Sequence, residues 1–490
     1  MRLGILGPPS IVANMKPILA KTPPLFPLLF LLFSLPSCAH YPENAPLTHF
    51  NPRAGYRFEN LPATPQDSDD LFIVVSFSGG GSRAAAFSYG VLEELHKTPI
   101  EYHGPPRTML DEVDVISSVS GGSFTAAYYA LYHDRIFQDY AQRFLYDDVQ
   151  DKVVGSILNP LNWPRLVSPT FDRIDLAAEY YDQHVFDHHT YADLIRAHQR
   201  PYLLLNASDI SLGTRFEFTQ EQFDFLYSDL GSVPLARAVA ASSAFPIALS
   251  PLALENYPKG ADFQEAPWVR SVLRDPAVSS RVKRRAEDLI SYEDTANRPH
   301  IRLLDGAIAD YMGLRGPYQA MISPEGDFSI RRMIDSGKIK KLVFISANVV
   351  RTPPIVWDRQ DHAPGWYDML YFTASAPIRN NSFDTVNVFE DLLHSDSQVV
   401  ESSKRYQEAV GKYDAAAAKK IAIPPGYDAY FISLDFENVK ERDLRERLEA
   451  MPSRLSLPKA DVDDLRRAAA ELLRDSPEFQ RLLRDLSTQR

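Results

Sequence analysis

LFIVVSFSGGGSRAAAF at 71–87 and VDVISSVSGGSFTAAYYALYH at 113–133 share one grammar. Each opens on a short run of Val, Ile, Leu and Phe suited to a buried strand, passes through glycines, and continues as a helix. In the first unit the helical spacing is carried by Phe87, Val91, Leu92 and Leu95. Further buried strands are predicted at 202–207 (YLLLNA), 301–304 (IRLL), 341–347 (KLVFISA) and 427–436 (YDAYFISLDF). Strands alternating with helices predict an α/β fold in three layers, α/β/α, around a mainly parallel central sheet.

Outward from this body the chain divides into segments of different character. Residues 38–70 are rich in Pro, Asn, Asp and Thr with no sustained period, and read as a tether or an irregular arm. A globular body is expected over 71–320. Within it, 134–200 is aromatic-rich and reads as an irregular insertion, a candidate lid over the sheet end where α/β proteins place ligands. Residues 321–490 form a C-terminal extension that completes the sheet and is otherwise mostly helical. Its last stripes, Leu465, Ala469, Leu472 and Leu473, then Phe479, Leu482, Leu483 and Leu486, have the spacing of core or docking faces.

A chain of 490 residues with a net charge of -12 has no general attraction for nucleic acid or anionic lipid, so neither is expected as a purely electrostatic partner. The uncharged run PPLFPLLFLLFSLP at 23–36 follows Arg2, Lys16 and Lys21 and is short for a membrane span. Residues 1–37 are therefore expected to be a signal peptide. The sole cysteine, Cys38, ends LPSC at 35–38, which resembles a bacterial lipoprotein cleavage box. That predicts an acylated Cys38 and a cell-envelope lipoprotein. Ala39 rather than Asp after the cysteine favours the outer membrane, facing the periplasm.

The chemistry concentrates at three strand ends. A serine hydroxyl becomes a useful nucleophile only when it is exposed, oriented and beside a base. Ser120 fits, because a sharp strand-to-helix turn flanked by Ser118, Gly121 and Gly122 pushes its side chain out of the sheet. Gly79, Gly80 and Gly81 leave a strand and enter a helix, so their amides can converge on an oxyanion. The pattern lacks the Lys and Ser/Thr of a nucleotide phosphate loop. Arg83, a planar double donor just beyond, is read both as a substrate-phosphate ligand and as a structural residue. Asp305 closes the strand IRLL before Gly306 and supplies the base if partly desolvated near Ser120. His362 and His394 leave open a Ser-His-Asp arrangement. No metal constellation stands out among His184, His188 and His189, and hydrolysis needs no cofactor beyond water.

These blocks resemble the patatin-like phospholipases, and SGGGSRA is similar to the glycine-arginine block of cytosolic phospholipase A2 enzymes. The resemblance extends through NASDISLGTRFEF at 206–218, PLARAVAASSAFPIALSPL at 234–252 and DGAIAD at 305–310. It implies a Ser-Asp dyad at Ser120 and Asp305 without histidine, an oxyanion loop at Gly79, Gly80 and Gly81, and membrane lipid as substrate. The implied reaction is acyl-ester hydrolysis through an acyl-serine intermediate. Two departures are Ser118 in place of the first elbow glycine and DGA in place of DGG. A general carboxylesterase and a non-catalytic lipid-binding envelope protein are the alternative readings.

Overall fold

The computed structural model describes residues 39–488 except 63–67, 69, 104, 247, 352–357 and 359–360. The expected signal peptide at 1–37 and the expected lipidation site Cys38 lie outside the described residues.

The core is an eight-stranded sheet. Its strands are β1 (Leu71–Phe77), β2 (Val113–Val119), β3 (Tyr202–Asp209), β4 (Thr214–Glu217), β5 (Leu252–Glu255), β6 (His300–Asp305), β7 (Lys341–Asn348) and β8 (Asp428–Asp435). Across the sheet the order is β8-β7-β1-β2-β3-β6-β5, with β4 paired to β3. The five strands from β8 to β3 are parallel, while β4, β5 and β6 pair antiparallel. β1, β2, β3 and β7 are buried along their whole length, as expected of strands covered on both faces. β8, at an edge, alternates buried with partly exposed residues.

The helices flanking this mixed, mainly parallel sheet include α1 (Ser82–Lys97), α2 (Gly121–Tyr132), α3 (Val149–Leu158), α4 (Arg173–His184) and α5 (Leu235–Ser242). The C-terminal region adds α6 (Trp366–Gly411), α7 (Lys459–Asp475) and α8 (Pro477–Ser487). Beneath the site, α4 and α5 are cross-linked by Arg237 and Asp175, both buried and 2.7 Å apart.

Two expectations are corrected. The insertion at 134–200 is mostly helical rather than irregular, and Tyr140, Phe144, Tyr181 and Phe186 are buried in the main core. Aromatic residues on several faces hide a helical period, because their bulk is needed wherever a helix meets two neighbours. The described part of the supposed tether has an irregular backbone but lies against the body. Tyr41, Phe50, Tyr56, Phe58 and Leu61 are buried, and the Tyr56 hydroxyl accepts the Leu203 amide at 2.8 Å. Its aromatic residues, not its prolines, decide its state. The mainly parallel sheet is as expected; β6 runs antiparallel to β3, a direction that the apolar run IRLL does not encode.

The C-terminal region is part of the same core. α7 crosses α1 so closely at Gly90 that a β-carbon there would lie 2.5 Å from the Arg466 carbonyl oxygen. The Arg466 guanidinium then pairs with Glu93 at 2.9 Å, one turn along. Gly90→Val should push the helices apart and lower unfolding stability by about 1–3 kcal/mol, read from denaturant midpoints. Gly155→Val, where a β-carbon meets nothing within 4 Å, is the matched control.

Candidate active site

Register brings the two principal residues together. Val119 of β2 pairs with Asn206 of β3, and the next residue of β3, Ala207, pairs with Asp305. β6 overlaps only the last part of β3, so its C-terminal end returns to the level at which β2 stops. Ser120, one residue past β2, donates its hydroxyl to Asp305 Oδ2 at 2.8 Å.

Ser120 occupies an unusual backbone conformation, with φ 52° and ψ -121°. A non-glycine residue there is strained by about 1–3 kcal/mol and persists only where its surroundings over-determine it. Those surroundings are specific. The Ser120 amide donates to Ser242 Oγ at 2.9 Å, and Ser242 Oγ donates to the Asn206 carbonyl at 2.6 Å. Asn206 Nδ2 in turn donates to the Ser118 carbonyl at 3.0 Å, closing a polar ring under the turn. Gly121 is required sterically: a β-carbon on it would lie 1.9 Å from the Gly81 carbonyl oxygen.

Asp305 is 2% exposed and Ser120 8%. Burial pushes the Asp305 carboxyl up from 3.8 to about 6, against the opposing pull of the Ala307 amide on Oδ1 and the Ser120 hydroxyl on Oδ2. Its backbone is held as firmly as its side chain. The Asp305 amide donates to Ala244 O and the Gly306 amide to Ser242 O, both at 3.0 Å. Among the described residues no histidine contacts the pair. His362 and His394 are both exposed, and His394 lies 2.7 Å from Gln398.

The three glycines are not equivalent. Gly79 is buried and its amide donates to the Tyr311 carbonyl at 2.9 Å, so it is occupied within the protein. Gly80 and Gly81 are partly exposed, and among the described residues their amides donate to no protein acceptor. Gly81 has φ 65°, and a β-carbon on it would strike the Arg454 carbonyl oxygen at 2.3 Å. That same carbonyl accepts the Ser82 amide at 2.6 Å. Arg83 is 1% exposed and donates to Met451 O at 2.7 Å and Ser453 Oγ at 3.2 Å. Its guanidinium thus fastens the 451–454 loop to the glycine turn, whereas a phosphate ligand needs a guanidinium that reaches solvent.

Residues 75–312 match the family model described as patatin-like phospholipase. The chain carries a patatin-like phospholipase domain. The similarities to solved structures are remote. Human GIVD cytosolic phospholipase A2 is 11% identical, with a TM-score of 0.44, covering 86% of this chain and 63% of that one. The same human enzyme in complex with methyl γ-linolenyl fluorophosphonate gives 13% identity and a TM-score of 0.40, covering 86% and 60%. VipD from Legionella pneumophila gives 10% identity and a TM-score of 0.27, covering 82% and 67%. The chain spans less than two thirds of the length of the phospholipase A2 structures. No curated protein matches it.

Two groups of the patatin-like site escaped the sequence reading. Ser242 and Asn206 lie inside blocks 234–252 and 206–218, where the resemblance marks the segments but not which side chain faces the turn. The 451–454 loop has no sequence signal, because its contribution is mainly main-chain carbonyls.

The raised Asp305 value has a stability consequence. Its folded value lies above the unfolded one, so the native state keeps its proton to higher pH than the unfolded chain does. Stability tied to this group is full below about pH 4 and lost as pH rises to about 6. Asp305→Asn removes the titration. The midpoint of the variant should therefore gain on wild type across that window and level off above it, by at most about 3 kcal/mol. A difference independent of pH would show that Asp305 is not desolvated.

Proposed function

We propose that the protein is a lipid acyl hydrolase of the phospholipase A or lysophospholipase type, working through an acyl-serine intermediate with Ser120 and Asp305 as a two-residue machine. The observation that carries this reading is the 2.8 Å hydrogen bond from Ser120 Oγ to a buried carboxylate that no histidine contacts among the described residues.

Ser120 Oγ attacks the ester carbonyl carbon while its proton passes to Asp305 Oδ2. The carbonyl oxygen becomes an oxyanion facing the free amides of Gly80 and Gly81 at the start of α1, with the positive end of α2 behind Ser120. Collapse of the tetrahedral intermediate breaks the carbon–oxygen bond to the leaving alcohol, which takes the proton from Asp305. Water then attacks the acyl-serine with Asp305 again as base, releasing the fatty acid and restoring the serine. A carboxylate raised to about 6 accepts a proton more readily than an ordinary one, yet is largely ionised at neutral pH. Val119, Ala307, Ile378 and Tyr311 form a small apolar cluster beside the pair, suited to an acyl chain rather than a polar acid.

We also place the protein at the cell envelope as a lipoprotein acylated at Cys38, in the outer membrane and facing the periplasm. This reading is supported by the apolar run 23–36 and the LPSC box.

A fluorophosphonate probe should label wild type and leave Ser120→Ala unlabelled. Assayed on phospholipid, lysophospholipid and neutral ester lipid, with fatty acid read by mass, Asp305→Asn should lose about 10²- to 10⁴-fold in kcat/KM. His362→Ala and His394→Ala should each retain wild-type rates. Wild-type kcat/KM should fall as pH drops through about 6. Full activity in Asp305→Asn would replace the dyad with another base.

A further inference from the structure

The segment 153–171, VVGSILNPLNWPRLVSPTF, has no part in the site yet shows an apolar surface to solvent. Leu158 is 65% exposed, Leu161 83% and Val167 75%, with Val154 and Trp163 nearly half exposed beside them. A scattered surface leucine needs no explanation, but a contiguous cluster on one short segment does.

This is not a loose loop. The Asn159 side chain accepts the Leu161 amide at 3.1 Å, Asn162 Nδ2 donates to Ser156 O at 2.8 Å, and the Val167 amide donates to Trp163 O at 3.0 Å. A hydrogen-bonded frame holds the apolar side chains outward. The charge pattern is equally unusual. In a chain of net charge -12 this stretch holds no acidic residue, and its single cation, Arg165, is paired with Glu179.

Both ends of the segment are pinned to loops that flank Ser120 and Asp305. At the start, the Gln150 amide donates to Ser456 Oγ at 3.0 Å and its side chain accepts the Leu455 amide at 3.2 Å, next to Arg454 on the glycine turn. At the far end, the Ile174 amide donates to Ser250 Oγ at 3.2 Å, in the strand-ward continuation of the loop whose Ala244 holds the Asp305 amide. The first described residue, Ala39, lies on the same ledge. Its carbonyl accepts Ser168 Oγ at 2.6 Å and Thr170 Oγ1 at 3.1 Å.

We propose that residues 154–167 are a membrane-docking ledge that sinks into the surface of a phospholipid bilayer and turns the Ser120 end of the sheet toward it. The occupant is lipid rather than protein because the patch is apolar and lacks acid, so it inserts without the repulsion that the rest of this acidic chain would meet at an anionic surface. The chain also leaves the structure at this ledge, one residue from Cys38, so an acyl anchor there and the ledge would share one plane. The inference rests on the lipid-substrate reading for its purpose, but not on the dyad.

The test is Trp163 fluorescence of the full chain on phosphatidylethanolamine–phosphatidylglycerol vesicles whose acyl chains carry bromine, with Trp163→Phe giving the background of the other tryptophans. Wild type should be quenched on brominated and not on plain vesicles. Leu158→Asn/Leu161→Asn/Val167→Asn, all exposed positions, should lose that quenching to the Trp163→Phe level. Gly155→Leu should strengthen it, since a β-carbon at Gly155 meets no atom within 4 Å. Ser120→Ala should be quenched like wild type. Quenching without fatty-acid release would keep the ledge and remove the hydrolase. The ledge itself is overturned by an unquenched Trp163 in the vesicle-bound chain, or by undiminished quenching in the triple variant. It is equally overturned if Trp163 is already shielded without lipid, by a second copy in a concentration-dependent dimer or by residues 1–37.

Discussion

The structure turns on a carboxylate kept out of water beside a hydroxyl, with no cation among the described residues to neutralise it. Such a group is costly to bury as an anion, and the chain does not offset that cost with an arginine or a histidine. It offsets it with one amide and one hydroxyl, those of Ala307 and Ser120. An arginine at that position would hold the carboxyl far below its ordinary range and leave it useless as a base. The remaining architecture, from the reversal of β6 to the ring through Ser242 and Asn206, fixes the distance between these two groups.

Much of this was legible beforehand, for identifiable reasons. β1 and β2 are recognisable because a strand buried on both faces must be apolar without alternation, and because each ends in glycines that no strand interior would carry. Ser120 follows from the same logic, since only a turn at that point swings a serine side chain out of the sheet between a strand and a helix. Asp305 was found through its strand end and a resemblance. Its partner could be named, but the direction of its strand could not. Strand direction is set by how the intervening chain packs, and nothing in IRLL differs between a parallel and an antiparallel neighbour.

What escaped the sequence shares one property: it depends on main-chain atoms or on bulk rather than on a distinctive side chain. Arg83 reads as an anion ligand because its chemistry suits one, yet its guanidinium is consumed by the Met451 carbonyl. Gly79, Gly80 and Gly81 read as three equal donors until Tyr311 is seen to occupy the first. In the arm at 39–62 and the insertion at 134–200, prolines and aromatic residues blur the periodicity. Those same aromatic residues bind both segments to the body.

The contact between Arg454 and the glycine turn sets an order of events during biogenesis. Gly80 and Gly81 belong to the first quarter of the chain, but the carbonyl that braces their turn arrives only near its end, on a loop fixed by α7 against α1. A nascent or truncated polypeptide therefore holds an unbraced turn however well its sheet has begun to assemble. Assembly of the glycine turn is thereby tied to completion of the chain.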